Sequence, residues 1–178
     1  MKKILILFII ITSVSINAQE KQNDATWEET IGFIKKYKNN FSPDSEYDIY
    51  TNYKFDIYSD RIVEYYEFNN EYRKELSKHK KIIYLSKLMK VEDKFKKDLD
   101  ILLYTTGKDI LKTSEKYYYH PQKKQWIYIE TEKSSSSFRL LYVPNREMYP
   151  RLLKAFKQLA YLATKKREEK RKQSGEKF

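Results

Sequence analysis

Residues 47–68 read YDIYTNYKFDIYSDRIVEYYEF, and their period decides the fold class. Tyr47, Ile49, Tyr53, Phe55 and Ile57 alternate with Asp48, Asn52, Lys54 and Asp56. Successive strand side chains point to opposite faces, so this pattern describes a half-buried antiparallel strand with a bend near Thr51. Ser59-Asp60 then turns the chain into a second strand, RIVEYYEF.

Toward the C-terminus, the polar segment NNEYRKELSKHK leads into a series of short apolar runs. KIIYL, SKLMKVED, LDILLYTT, KDILKTS, KYYYH, QWIYIET and SFRLLYV follow one another. Gly107, Pro121–Lys124 and the Ser134–Ser137 run separate several of them and read as turns, the serines as a hairpin loop. The spacing predicts an antiparallel meander of about seven strands, without the long crossovers of a parallel sheet.

Helices flank the strands. In DATWEETIGFIKKYK, Thr26 and Glu29 have the spacing of a capping box, each side chain satisfying the other's free backbone N–H. Trp27, Ile31 and Ile34, flanked by Phe33 and Tyr37, form a stripe at helical period. NNFSPDS ends that helix with turn-forming residues. At the other end a helix is predicted from Pro150, because proline suits the first helical turn. Leu152, Leu153, Phe156, Leu159, Ala160 and Ala163 share one of its faces.

Past Ala163 that same face meets Lys166, Arg167, Lys170 and Arg171. A membrane-surface helix keeps its apolar stripe beside its basic face throughout. Here the two follow one another, so residues 150–164 read as a core helix and 165–178 as a basic tail, solvated, disordered or frayed. Lys165, Lys166, Arg167, Lys170, Arg171 and Lys172 are the residues with which such a tail would touch an anionic surface.

The N-terminus carries MKK, then ILILFIIITSVSI and NAQ. A short basic region, a brief apolar run and a small residue read as a secretory signal peptide, with cleavage expected after Ala18. The apolar run is shorter than the ~18–20 residues that cross a bilayer. Export to the periplasm or beyond the cell is the expectation, with residues 19–164 as one domain. There is no cysteine, which excludes disulfides, thiol nucleophiles and thiolate metal ligands. The formal net charge of +11 falls to +9 without Lys2 and Lys3, and +4 of that lies from Lys165 onward.

NAQ after the apolar run, TWEETIGFIKKY, IIYLSKLMKV and RLLKAFKQLAYLATKK resemble small exported Bacteroidota proteins of unknown function with a PH-like domain. The resemblance implies an α+β fold: an N-terminal helix, antiparallel strands forming a PH-like barrel, and a C-terminal amphipathic helix. A lipocalin-like barrel is the main alternative, and a cystatin-like helix-on-sheet arrangement a weaker one. The resemblance brings no activity and no catalytic residues.

Chemistry is sparse in the sequence. His79 and His120 lie in separate segments, outside any metal-ligand spacing, and read as surface residues beside loops. With three glycines, no phosphate loop, dinucleotide fingerprint or nucleophile elbow can be assembled. Asp98 with Asp100, and Glu64 with Glu67, are the carboxylate pairs an acid–base hydrolase would need, although Glu64 and Glu67 face opposite ways on a strand. SPDSEYD lacks the spacing of a calcium loop. Seventeen tyrosines suit barrel rims and half-covered faces, with glycan stacking as the functional alternative.

These readings lead to an exported, non-catalytic module that binds a protein or small ligand, needs no cofactor or metal and meets no nucleic acid. Peripheral attachment through the basic tail is the second reading, and a carboxylate-dependent hydrolase the third.

Overall fold

A computed structural model describes residues 24–43, 50–70, 72–95 and 99–175. The expected signal peptide, Tyr47 to Ile49 of the first strand, and Asp98 lie outside these residues. Among them the chain forms α1 (Trp27–Lys36), then β1 (Tyr50–Ile57), β2 (Arg61–Asn70) and β3 (Glu75–Tyr84). β4 (Leu88–Phe95), β5 (Asp100–Thr105), β6 (Ile110–His120), β7 (Gln125–Ser136) and β8 (Phe138–Tyr142) follow, and α2 (Met148–Ser174) closes the chain.

The fold is α+β with every strand pair antiparallel, as the period-two patterning implies. It differs from a meander. Eight strands form two sheets, ordered β1-β2-β3-β6-β7 and β4-β5-β8, and the described residues contain no closed barrel. The chain changes sheet after β3, β5 and β7, so β6 returns beside β3. A meander follows from pairing neighbours in sequence, and hydrophobic period carries no information about such crossings.

The local readings explain most elements. The capping box is formed: Glu29 N–H donates to Thr26 Oγ1 at 3.2 Å and Thr26 N–H to Glu29 Oε2 at 2.8 Å. Hydrogen bonds from Thr26 also hold the Glu29 carboxyl below its ordinary pKa. The expected bend in β1 is a register shift between Thr51 and Lys54, with Asn52 at φ 53°. α2 starts two residues before Pro150, where Asn145 Oδ1 accepts the N–H groups of Glu147 and Met148, each at 3.1 Å.

A polar segment not assigned to a strand and a run read as a hairpin loop are both strand. ELSKHK forms the first part of β3 and pairs along β2 and β6, and Ser134–Ser136 end β7. Cross-strand hydrogen bonding outweighs the weak strand preference of lysine and serine in both places.

The core lies where the two sheets and α2 meet. Ile57, Ile62, Ile83 and Ile110 stand opposite one another across β1, β2, β3 and β6, all buried. Ile101, Leu103 and Leu141 from the other sheet and Leu152, Phe156 and Leu159 from α2 complete the cluster. Tyr149 fastens α2 to the smaller sheet, its hydroxyl donating to Asp93 Oδ1 at 2.7 Å and to the Asp100 carbonyl at 3.0 Å. α1 lies on α2, and Gln158 Nε2 donates to the Ala25 carbonyl at 2.9 Å.

Helix α2 does not end its contacts at Thr164. Arg167, one turn after Ala163 on the same face, donates to the carbonyls of Ser86 and Leu88 at 2.6 and 2.9 Å. Those carbonyls belong to the turn between β3 and β4 and to the first residue of β4, and the bonds continue the docked face by one turn. The helix itself runs on through Ser174.

Candidate functional site

Strand register turns the inner face of the large sheet into ordered rows. Beside the isoleucine row, Phe55, Glu64, Lys81, Lys112 and Ser134 stand opposite one another on β1, β2, β3, β6 and β7. The next row holds Tyr66, His79, Ser114 and Glu132. The face therefore passes from apolar to charged within two residues along β2, β3 and β6.

Glu64 is fully buried. Arg139, reaching from β8 in the other sheet, donates from Nε to Glu64 Oε2 at 2.7 Å and from Nη2 to Oε1 at 2.9 Å. The Tyr53 hydroxyl donates to the same Oε1 at 3.0 Å. Paired guanidinium bonds and a phenol thus occupy the carboxylate, the arrangement a buried charge requires. Burial, then the Glu64 charge, pushes the Tyr53 hydroxyl well above its ordinary value, so it stays a donor. Burial alone would pull Arg139 down, but the Glu64 charge and its hydrogen bonds outweigh it and hold the guanidinium above its usual range.

Lys81 and Lys112 sit next to this pair and directly opposite each other. No ion pair to either lysine is formed among the described residues. Lys81 Nζ lies 5.0 Å from the centre of the Tyr66 ring. Burial first, then the charges of Arg139 and Lys112, bring Lys81 down to about 8 against the opposing pull of Glu64. The two lysines line a cleft of about 260 Å³ between the large sheet and β8, with Ser134, Ser136, Phe138 and Arg139.

His79 is a mid-strand, half-buried residue, not a loop histidine. Its ring stacks on Tyr66 at 4.7 Å, and Nδ1 hydrogen-bonds the Ser114 hydroxyl. Burial, then the charges of Lys112 and Lys81, lowers it to about 4. A folded-state value below the unfolded one means the unfolded chain takes up the proton first as pH falls. Stability is expected to be intact above pH 6.5 and to decline toward pH 4, by roughly 2 kcal/mol after discounting for half exposure. Urea melts of the wild type and His79→Gln at pH 7 and 4.5 check this. The variant should lose less between the two values, and identical losses would remove His79 as the cause.

The other candidates are dispersed. Glu67 faces outward, accepting from Asn52 Nδ2 at 2.6 Å, so it forms no catalytic pair with Glu64. The Asp100 backbone carbonyl receives the Tyr149 hydroxyl. Lys165, Lys166, Lys170, Arg171 and Lys172 are exposed along α2, with Lys166 5.9 Å from the Trp27 ring centre, whereas Arg167 is held by the backbone carbonyls. A larger groove of about 360 Å³ runs between α1 and α2, lined by Thr30, Phe33, Arg151 and Ala155. It contains no buried charge. Among the described residues no group of three or more His, Asp or Glu is placed to hold a metal ion, and no helix is long and apolar enough to cross a membrane.

Sequence reasoning passed over Lys81, Lys112, Arg139 and the His79–Ser114 contact. One signal was available: Glu64 shares strand parity with Ile62 and Tyr66, which places a charge on the core face. Fold and cleft together define a two-sheet α+β protein with a charge-paired floor and a cationic rim. No protein-family model, no curated protein and no solved structure matches the chain.

Proposed function

We propose that the chain is an exported ligand-binding module, with its ligand in the cleft between the large sheet and β8. The observation that carries this reading is the fully buried Glu64, held by the partly buried Arg139 and Tyr53, beside an open cleft lined by Lys81, Lys112 and Ser134. Ionic groups buried next to a cavity fix its shape and polarity, whereas an apolar filling would serve stability at least as well. The same reading places the fold beside PH-like modules. Two antiparallel sheets sharing a core with a closing C-terminal helix support that kinship.

Amide-resolved NMR with a set of small anionic, neutral and cationic compounds tests the site. Shifts are expected at Lys81, Lys112, Ser134 and Phe138. A ligand that moves only the α1–α2 groove, or a set that moves no cleft amide, would sink the proposal.

A further inference from the structure

We infer that the cleft takes a dianionic phosphoryl group, held between Lys81 and Lys112, with the Ser134 hydroxyl as a third donor and Phe138 beside the organic part. This rests on the cleft being the ligand site and names the chemistry that fills it.

The argument begins with charge. Like charges directly opposite on neighbouring strands disfavour the fold, and Lys81 and Lys112 are such a pair. Arg139 does not relieve them, because both its hydrogen bonds go to Glu64, and Glu64 in turn is taken up by Arg139 and Tyr53. Three cations and one carboxylate leave an excess of two positive charges around one cleft. His79 nearby is neutral at pH 7 and adds none. A natural sequence keeps a local conflict of this kind where function uses it.

Shape and donor type narrow the ligand. Lysine presents a compact ammonium with rotatable donors, suited to a tetrahedral oxyanion approached from two sides. The planar fork that favours carboxylates belongs to Arg139, already engaged. Ser134 stands opposite Lys112 on the same face. Ser136, two residues on, donates its hydroxyl to the Phe138 carbonyl at 3.1 Å, which fixes the corner where β7 becomes β8. Phe138 is 54% exposed. An exposed ring on the cleft wall fits an ester bearing an aromatic or apolar group better than the free ion.

Lys81 supplies a further signature. The groups facing it are Glu64 and Tyr66 on β2, Lys112 on β6 and Arg139 on β8. Its value of about 8 means it carries the positive charge at pH 7 at a cost to the unliganded fold. A bound dianion removes that cost. Affinity should therefore fall as pH rises through 8, although the phosphoryl group stays doubly charged there.

Isothermal titration at pH 7 with phenyl phosphate, inorganic phosphate and acetate tests the inference on the wild type, Lys81→Met and Lys112→Met. Phenyl phosphate should bind, inorganic phosphate should bind more weakly, and acetate at least about tenfold more weakly than either, the equivalent of 1.4 kcal/mol. Each variant should lose at least about tenfold in phosphate affinity, while unliganded Lys81→Met melts higher than the wild type. That higher melting temperature excludes misfolding as the reason for lost binding. Wild-type affinity retained in both variants, acetate binding as tightly as phosphate, or no phenyl phosphate binding would overturn the inference. Inorganic phosphate binding as tightly as the ester would overturn the role of Phe138. If NMR shows a neutral or cationic compound in the cleft while phosphate fails to bind, the phosphoryl inference falls and the binding-module reading stands.

Discussion

Arg139→Met is expected to destabilise the protein by about 3–5 kcal/mol, because it leaves a fully buried Glu64 carboxylate without its counter-charge. The loss should exceed that of any exposed ion pair here, such as Lys116 with Glu130, where solvent screening leaves little to lose. It is also expected to be specific to the charge left behind. Replacing the whole cluster, with Glu64→Leu, Arg139→Met and Tyr53→Phe together, removes the carboxylate and both kinds of donor at once. The triple variant should recover most of the lost stability, since an apolar filling of similar volume is often as stable as a buried pair. Denaturant unfolding of single and triple variants at pH 7 checks both statements. A single-variant loss below about 1 kcal/mol would show that water reaches Glu64 and replaces the guanidinium. Recovery of stability with loss of ligand binding would separate what the cluster does for folding from what it does for the cleft.

Phe156→Ala is the second large effect. Phe156 is fully buried on α2, and its ring meets Phe41 edge-on at 5.9 Å, while Phe41 stacks on Phe55 at 4.1 Å. Three rings thus join the closing helix, the segment after α1 and the first strand. Truncation to alanine removes the middle of α2's packing face and is expected to cost about 3–5 kcal/mol through lost transfer energy and the cavity left behind. Phe156→Leu keeps most of the volume and should cost under about 1.5 kcal/mol. Thermal or urea unfolding distinguishes them. Similar costs for alanine and leucine would mean that ring contacts, not volume, carry the packing.

Local features were legible in the sequence because they depend on neighbours a few residues apart. Thr26 and Glu29 announced the helix start, Thr51 the bend in β1, and Leu152 to Ala163 the docked face of α2. β3 was harder to see. ELSKHK has polar residues on both faces, since the inner face it joins is itself polar at Lys81 and His79. The residues of the candidate site therefore disguised their own strand. The serine run misled for the same reason: Ser134 and Ser136 face the cleft or its corner instead of making a loop. Arg139 could not be matched to Glu64 from sequence, because the partners are 75 residues apart and lie in different sheets. Nothing local specifies which strand returns beside β3, and the whole site depends on that choice.

The contact between α1 and α2 sets the order in which the fold can be finished. The earliest described helix lies on the last one, and the Ala25 carbonyl waits for Gln158, 133 residues further along the chain. The large sheet likewise stays incomplete until β6 and β7 exist to continue it beyond β3. Contacts this distant in sequence form slowly, since the intervening chain must be ordered before they stabilise anything. A chain emerging from its N-terminus would pair β1–β3 with one another, leave the far edge of β3 open until β6 exists, and hold α1 undocked until α2 has followed. The fold is thereby completed only when nearly all of the chain is present.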